Sequence, residues 1–231
     1  MRKIRIISLI FVAALTGSTA NCQNKWKTSD YSKVTVNNFR KNKLFIETID
    51  FENIDFARLN AAIFYVTNEV RKKKKLTILE YSPYLEKSST IHSEDMVNYS
   101  FFSHFNPEVK EHKDPNERGK VAGITNPLIA ENIIEGYGLE YVSGKSVYPR
   151  GPGKFSYTPD GPFIKVHTYL SFAEEVVDNW MNSKGHRKNI LSTDNLQLGC
   201  GTAYFVNGEF NDMPAFMATQ NFQQFKKVNS K

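Results

Sequence analysis

The sequence predicts one α+β domain, and three observations carry this prediction. Apolar residues recur at helical spacing in segments that begin near residues 55, 82 and 171. The short apolar run IAENII, residues 129–134, has the length and composition of a buried strand. Residues 196–206 alternate along a further strand, and residues 214–222 follow as its antiparallel partner. Helices before and after short strands, with an antiparallel pair at the end, are typical of the α+β class.

The N-terminus has the pattern of a secretory signal peptide, which we place at residues 1–20. Three basic residues precede an apolar run from Ile6 to Leu15, and Ser18-Thr19-Ala20 offers small side chains for cleavage. The run is too short for a membrane-spanning helix. Removing its three basic residues lowers the formal net charge from +6 to +3. We therefore expect a secreted or envelope protein, and the charge gives no case for a nucleic-acid partner.

The two cysteines leave alternatives open. Cys22 directly follows the cleavage region and could be the lipidated first residue of a lipoprotein, which would make the membrane a partner. We favour plain secretion, because Asn21 is larger than the glycine or alanine expected before such a cysteine. Cys200 lies in the alternating run and is interpreted as a small buried apolar residue. A disulfide between the two is less favoured, because Cys22 would lie in a loose tail.

Before the strands, the sequence predicts a tether and lead-in over residues 21–52, followed by two helices. Asp55 is placed to cap the first helix, and Ser82-Pro83 opens the second with proline where its missing amide costs nothing. We interpret His92, on the inner side of the second helix, as a core or rim histidine with a hydrogen-bond partner. No motif supports His112 or His167, which we predict at the surface.

The last helix is predicted within SFAEEVVDNWMNSKGHRKNIL, residues 171–191. Ser171 and Glu174 have the spacing of a capping box, and Gly185 is placed to end the helix in the left-handed conformation. His186 then follows a rigid helix end. A lone histidine there could simply cap the last carbonyls and interact with the helix dipole.

The segment VVDNWMNSKGHRKNIL also resembles the signature of the CAP superfamily, in its bacterial SCP-like form. (The superfamily comprises cysteine-rich secretory proteins, antigen 5 and plant pathogenesis-related proteins.) IHSEDMVNYSFFSHFNPE, IAENIIEGYG and LGCGTAYF with ATQNF agree with it in the same order. The resemblance covers roughly residues 56–225. It implies a three-layer α-β-α sandwich, with a small and mainly antiparallel sheet between helices. We place the domain at residues 53–225 and a C-terminal tail at residues 226–231.

The resemblance also implies a cleft with two histidines and two acidic residues. His104, Glu131 and His186 match it, and we expect His104 and His186 to bind a divalent metal, with zinc as the first candidate. Glu131 could order a turn by accepting backbone amides, or meet the two histidines; both can be true, and the resemblance favours the second. Ser183 stands where many eukaryotic members of the superfamily have the second acid. We expect its hydroxyl to face the cleft.

Two functions remain open, and the sequence does not decide whether the protein is an enzyme. The first is a secreted or surface-anchored binding module whose cleft holds a divalent metal and a polar or lipid-like ligand from the envelope or medium. The alternative is a metal-dependent hydrolase acting on peptides or cell-wall material, which would need a general base. A Gly-, Pro- and Tyr-rich insertion at about residues 137–168, with a hairpin over 154–166, either supplies aromatic and basic surface near the cleft or is a flexible decoration.

Overall fold

The central element of the computed structural model, which describes residues 25–230, is a four-stranded sheet. The strands of the protein are β1 Glu80–Tyr81, β2 Ile129–Tyr137, β3 Tyr148–Pro149, β4 Phe155–Ser156, β5 Asn195–Asn207 and β6 Met213–Gln224. The strand order in the sheet is β1–β5–β6–β2, in which β1 and β5 are parallel and the other pairs antiparallel. A separate two-stranded ribbon, β3–β4, lies in the insertion. The predicted signal peptide and Cys22 lie outside the described residues.

Helices cover both faces of the sheet, as the α-β-α prediction requires. The helices are α1 Lys43–Ile46, α2 Phe56–Lys73, α3 Pro83–Asn98, α4 Pro115–Ala122, α5 Tyr169–Asn182 and α6 Lys184–Leu191. On one face of the sheet, α3 packs against β5 and β6. On the other face, α2 contacts the same strands: Asn60 contacts Thr202 at 2.8 Å and Thr67 contacts Gln220 at 2.6 Å. The helix α5 packs beside α2. Over residues 25–230, none of them combines the length and the apolar character needed to cross a membrane.

Two glycines of β5 allow α3 to lie directly on the sheet. A Cβ atom built on Gly199 would come within 2.0 Å of the Glu86 amide nitrogen, and one built on Gly201 within 2.1 Å of the Thr90 nitrogen. Serines of α3 use this proximity, since Ser89 donates to the Gly199 carbonyl at 3.1 Å. The small residues of β5 therefore pack against a helix, as their alternation indicates.

We predict that Gly201→Ala lowers the free energy of unfolding by roughly 1–3 kcal/mol, because the new methyl group meets helix backbone that has no room to shift. Gly185→Ala is the matched control. It places the same methyl group in open space within α6, and alanine is favoured over glycine in helices by roughly 0.5–1 kcal/mol. Urea denaturation of both variants measures the difference. Equal effects would contradict the close packing of α3 on β5.

Helix boundaries agree with the sequence at two caps and differ at two. Asp55 and Ser82 accept the predicted backbone amides. The helix α5, however, starts after Thr168. The Thr168 side chain accepts the Ser171 amide, and the Ser171 hydroxyl accepts the Thr168 amide, so these two residues form the capping box. Gly185 does not end it either. The extended backbone of Ser183 separates α5 from α6, so His186 lies in the first turn of a new helix and does not cap the end of the previous one.

The predicted tether is wrong for the described part of residues 21–52. Trp26, Phe39, Phe45 and Ile49 are buried in the main core. Aromatic residues spaced without a helical or strand period give no sequence signal of packing, but they fill the space beside α2. The Tyr31 hydroxyl also donates to Glu86 of α3 at 2.9 Å, which ties this segment to the domain.

The insertion is folded rather than a flexible decoration. Leu139, Phe155 and Ile164 form a second buried cluster with Met213 of β6. Part of the predicted hairpin exists, since Ser156 bridges Phe163, but β4 pairs mainly with β3. From the sequence, the many Gly and Pro residues of the insertion indicate mobility. In the structure they lie mostly in turns and bends around these apolar side chains.

Two of the histidines predicted at the surface have partners. His167 is buried, and its ring contacts Ser171 at 2.9 Å and Glu175 at 3.1 Å. His112 is partly buried and contacts Asp95 at 2.7 Å. The surface prediction is therefore wrong for His167. Cys200 is buried as expected, and burial raises the pKa of its thiol well above the ordinary value.

Candidate functional site

A hydrogen bond between His104 and Glu131 joins the loop after α3 to the strand β2. The His104 Nδ1 atom lies 2.9 Å from the Glu131 Oε1 atom. A carboxylate only accepts hydrogen bonds, so Nδ1 is the donor, and a neutral ring then carries its lone pair on Nε2. His104 is partly exposed, whereas the Glu131 side chain is almost entirely buried. Glu131 thus meets one of the two histidines of the second alternative, His104, whereas a shared site with His186 stays a prediction.

Arg118 of α4 is the main partner of Glu131, and the sequence reasoning missed it. Its Nη2 atom lies 2.9 Å from Glu131 Oε1 and 2.7 Å from Oε2, and both side chains are buried. The same guanidinium donates to the backbone carbonyls of His104 at 3.2 Å and His112 at 2.8 Å. Arg118 therefore neutralises the carboxylate and also fixes the loop that carries His104. No pattern around Arg118 distinguishes it from a surface arginine of a short helix.

His92 is the third histidine near Glu131. It is fully buried in α3, and its Nε2 atom lies 3.6 Å from Glu131 Oε1, beyond a hydrogen bond. Burial lowers the pKa of His92 to about 4, against the opposing effect of Glu131. The ring is thus neutral at neutral pH. The core position is confirmed, but the expected hydrogen bond is not. Within residues 25–230, neither ring nitrogen makes a hydrogen bond of ordinary geometry.

His186 lies on α6, which packs against the strand that carries Glu131. Asn132 of β2 donates to the His186 carbonyl at 3.2 Å, and Asn189 donates to the Glu131 carbonyl at 3.1 Å. These amides attach the first turns of α6 to β2. Partial burial lowers the pKa of His186, and the nearby His104 lowers it further. Its imidazole therefore remains neutral to a lower pH than a free histidine.

His104 and His186 line one pocket of about 480 Å³. The rest of its lining is mostly apolar and comprises Phe102, Ser103, Phe105, Ile133 and Ile134. Ser183 is not part of this lining, and its carbonyl accepts the Arg187 amide at 2.9 Å. The predicted ligand contact of Ser183 stays a prediction. No residue of the insertion lines the pocket, so the expectation that the insertion supplies surface to this cleft is wrong for the pocket.

The lining of the pocket contains two imidazoles, a side-chain type that commonly binds metal ions. Within the described part of the chain, no group of three or more His, Cys, Asp or Glu side chains is arranged to hold a metal. A histidine that donates one ring nitrogen to a carboxylate is nevertheless the usual arrangement of a metal-binding histidine, because it fixes the tautomer and directs the other nitrogen outward. Water or a ligand would then complete the coordination.

Comparison with known proteins identifies the family. The profile of the cysteine-rich secretory protein family, CAP, matches residues 64–222, which is more than half of the chain. The chain belongs to the CAP family. This confirms the resemblance of the four motifs.

Two curated relatives of this CAP protein come from Bacillus subtilis (strain 168). The uncharacterized protein YkwD is 31% identical over 136 residues, covering 59% of this chain and 39% of the relative. The uncharacterized membrane protein YlbC is 30% identical over 139 residues, covering 60% and 30%. The chain therefore spans less than half the length of either relative.

Solved structures of similar proteins include an extracellular protein containing a SCP domain from Bacillus anthracis. It has 23% identity and a TM-score of 0.47, and the match covers 72% of this chain and 40% of that chain. The CAP domain of Enterococcal PrgA has 16% identity and a TM-score of 0.43, over 92% and 90% of the two chains.

Proposed function

We propose that this CAP domain is a binding module of the cell envelope or medium, with a divalent metal ion held by His104 and His186. The ligand would be an amphiphile, with an apolar body and an anionic or carbonyl head. The orientation of His104 by Glu131 is the observation that carries the proposal. It leaves Nε2 free in a pocket that His186 shares.

The lining of the pocket supports an amphiphile over a purely polar ligand. Apolar side chains form most of the wall, and Phe102 and Phe105 are 55% and 61% exposed. Exposed aromatic side chains beside a pocket indicate an interaction site. Glu131 has its charge balanced by Arg118, so a bound metal would keep most of its positive charge and attract an anionic or carbonyl group.

Hydrolysis is less well supported. A hydrolase with metal-bound water usually needs a general base within reach of that water. The Glu131 carboxylate already accepts hydrogen bonds from Arg118 and His104. It is therefore poorly placed to take a proton from a metal-bound water. His92 is buried and is not part of the pocket lining. These contacts favour binding over chemistry.

Calorimetric titration of the mature protein with zinc chloride tests the metal site. We expect one zinc ion per chain, and a loss of affinity of at least roughly tenfold in His104→Ala and in His186→Ala. Affinity should also fall as pH drops through the imidazole range, because protonated imidazoles cannot bind metal. His112→Gln is the control, since it removes a histidine that does not line the pocket. Unchanged affinity in both pocket variants would refute the proposed metal site.

The location outside the cytoplasm rests on the signal-peptide pattern of residues 1–20. Cell fractionation and N-terminal sequencing of the mature protein test it. We expect a new N-terminus near residue 21 in the medium or envelope. An acylated Cys22 would show the lipoprotein form, and intact Met1 in the cytosol would contradict the proposal.

A further inference from the structure

A second groove, of about 740 Å³, lies where the lead-in, the insertion and the turn between β5 and β6 meet. It shares no lining residue with the pocket of His104 and His186. We call it the insertion groove. Its side chains fall into an apolar group and an acidic group, and each group suits a different part of a ligand.

The apolar group is built from aromatic and proline side chains. Phe51 of the lead-in stacks on Tyr204 of β5, with ring centroids 5.6 Å apart and an interplanar angle of 19°. The exposed Pro149 and Pro152 of the insertion add rigid apolar surface, and the buried Pro214 of β6 also lines the groove. Aromatic and proline surfaces of this kind accept apolar side chains of an extended peptide at little entropic cost.

The acidic group consists of Asp50, Glu52 and Asp212, all of which are exposed. Within residues 25–230 none of the three forms an ion pair, and no lysine or arginine lines the groove. Asp50 accepts the Glu52 amide at 3.1 Å, which uses one of its oxygens. Without its predicted signal peptide, the chain keeps a formal net charge of +3, which is +6 less three basic residues. The groove is therefore a negatively charged patch on a weakly basic protein.

Two basic residues of the insertion, Arg150 and Lys154, contact other parts of the insertion and do not line the groove. The Arg150 guanidinium lies 5.6 Å from the centroid of the Phe163 ring and bonds the Pro159 carbonyl. The Lys154 ammonium lies 5.9 Å from the same ring. Neither residue lines the groove, so the three carboxylates keep their charge free for a partner.

We propose that the insertion groove docks an extended peptide segment that carries lysine or arginine between apolar residues. The carboxylates would pair with the cationic side chains, and the stacked rings and prolines would contact the apolar ones. Charge complementarity decides the class of partner. An anionic membrane surface would be repelled by the acidic residues. A small cation alone would leave the apolar surface uncovered.

Fluorescence polarisation with a short synthetic peptide of repeated Lys-Leu-Pro tests this proposal. We expect binding that weakens as salt rises, because exposed charge pairs are screened, and no binding of the matched Glu-Leu-Pro peptide. The variant Asp50→Asn/Glu52→Gln/Asp212→Asn should bind about tenfold more weakly, as the loss of three exposed pairs implies. Asparagine suits position 212, where the backbone has a φ of 60°.

A matched variant removes the same charge elsewhere. Glu108→Gln/Glu111→Gln/Asp160→Asn changes three exposed carboxylates that do not line the groove, and its affinity should equal that of the wild type. His104→Ala should also bind normally, so failure of the zinc site would leave this result unaffected. Absence of peptide binding to the wild type would overturn the proposal. Equal affinity of the two charge variants, or binding of the Glu-Leu-Pro peptide, would do so as well.

Discussion

Arg118→Met is expected to lower the free energy of unfolding by roughly 3–5 kcal/mol, the cost of leaving one member of a buried ion pair without its partner. Arg118 and Glu131 are both buried, and the guanidinium contacts both carboxylate oxygens. Methionine fills much of the same volume but offers no donor to Glu131. It also offers none to the backbone carbonyls of His104 and His112.

Urea denaturation of three variants separates the charge effect from the packing effect. Lys120→Met, on the same helix, changes an exposed lysine and should leave stability nearly unchanged. Arg118→Met combined with Glu131→Leu removes both buried charges and should recover part of the loss, because an apolar pair can replace a buried ion pair. A single-variant loss below about 1 kcal/mol would mean that solvent reaches the pair.

The second large effect is expected in the insertion, where Phe155→Ala should cost roughly 3–5 kcal/mol. Phe155 is fully buried against Leu139, Ile164 and Met213, so its removal leaves a cavity. Phe163→Ala is the matched control in the same segment. Its ring is 51% exposed, and the cost should stay below about 1 kcal/mol. Equal costs in urea denaturation would show that the insertion does not share the cooperative core.

Periodicity and small residues predict the layers of this protein well. The alternation along β5 places Gly199 and Gly201 on one face, and that face receives α3. The caps at Asp55 and Ser82 are also readable, because a side-chain acceptor followed by helical spacing is a local signal. The cap at Thr168 was missed because Thr168 and Ser171 stand three residues apart, and both are suitable cap residues.

The candidate site is predictable only in part, because its decisive contacts are distant in sequence. The resemblance supplies His104, Glu131 and His186, which lie on three separate elements. Neither spacing nor resemblance indicates that Arg118 binds the Glu131 carboxylate. This contact decides whether Glu131 can act as a base. The packing of the lead-in and the insertion against the domain could not be predicted from the sequence for a related reason. Aromatic residues in segments without a period reveal no partner until the fold is known.

Histidine NMR during a zinc titration tests the central claim most directly. The ring signals of His104 and His186 are predicted to change together and to saturate at one equivalent of zinc. The signals of His167, which is buried beside Glu175, should stay in place. If His104 and His186 saturate at different zinc concentrations, or do not respond, they do not share a metal site and the account of the pocket is wrong.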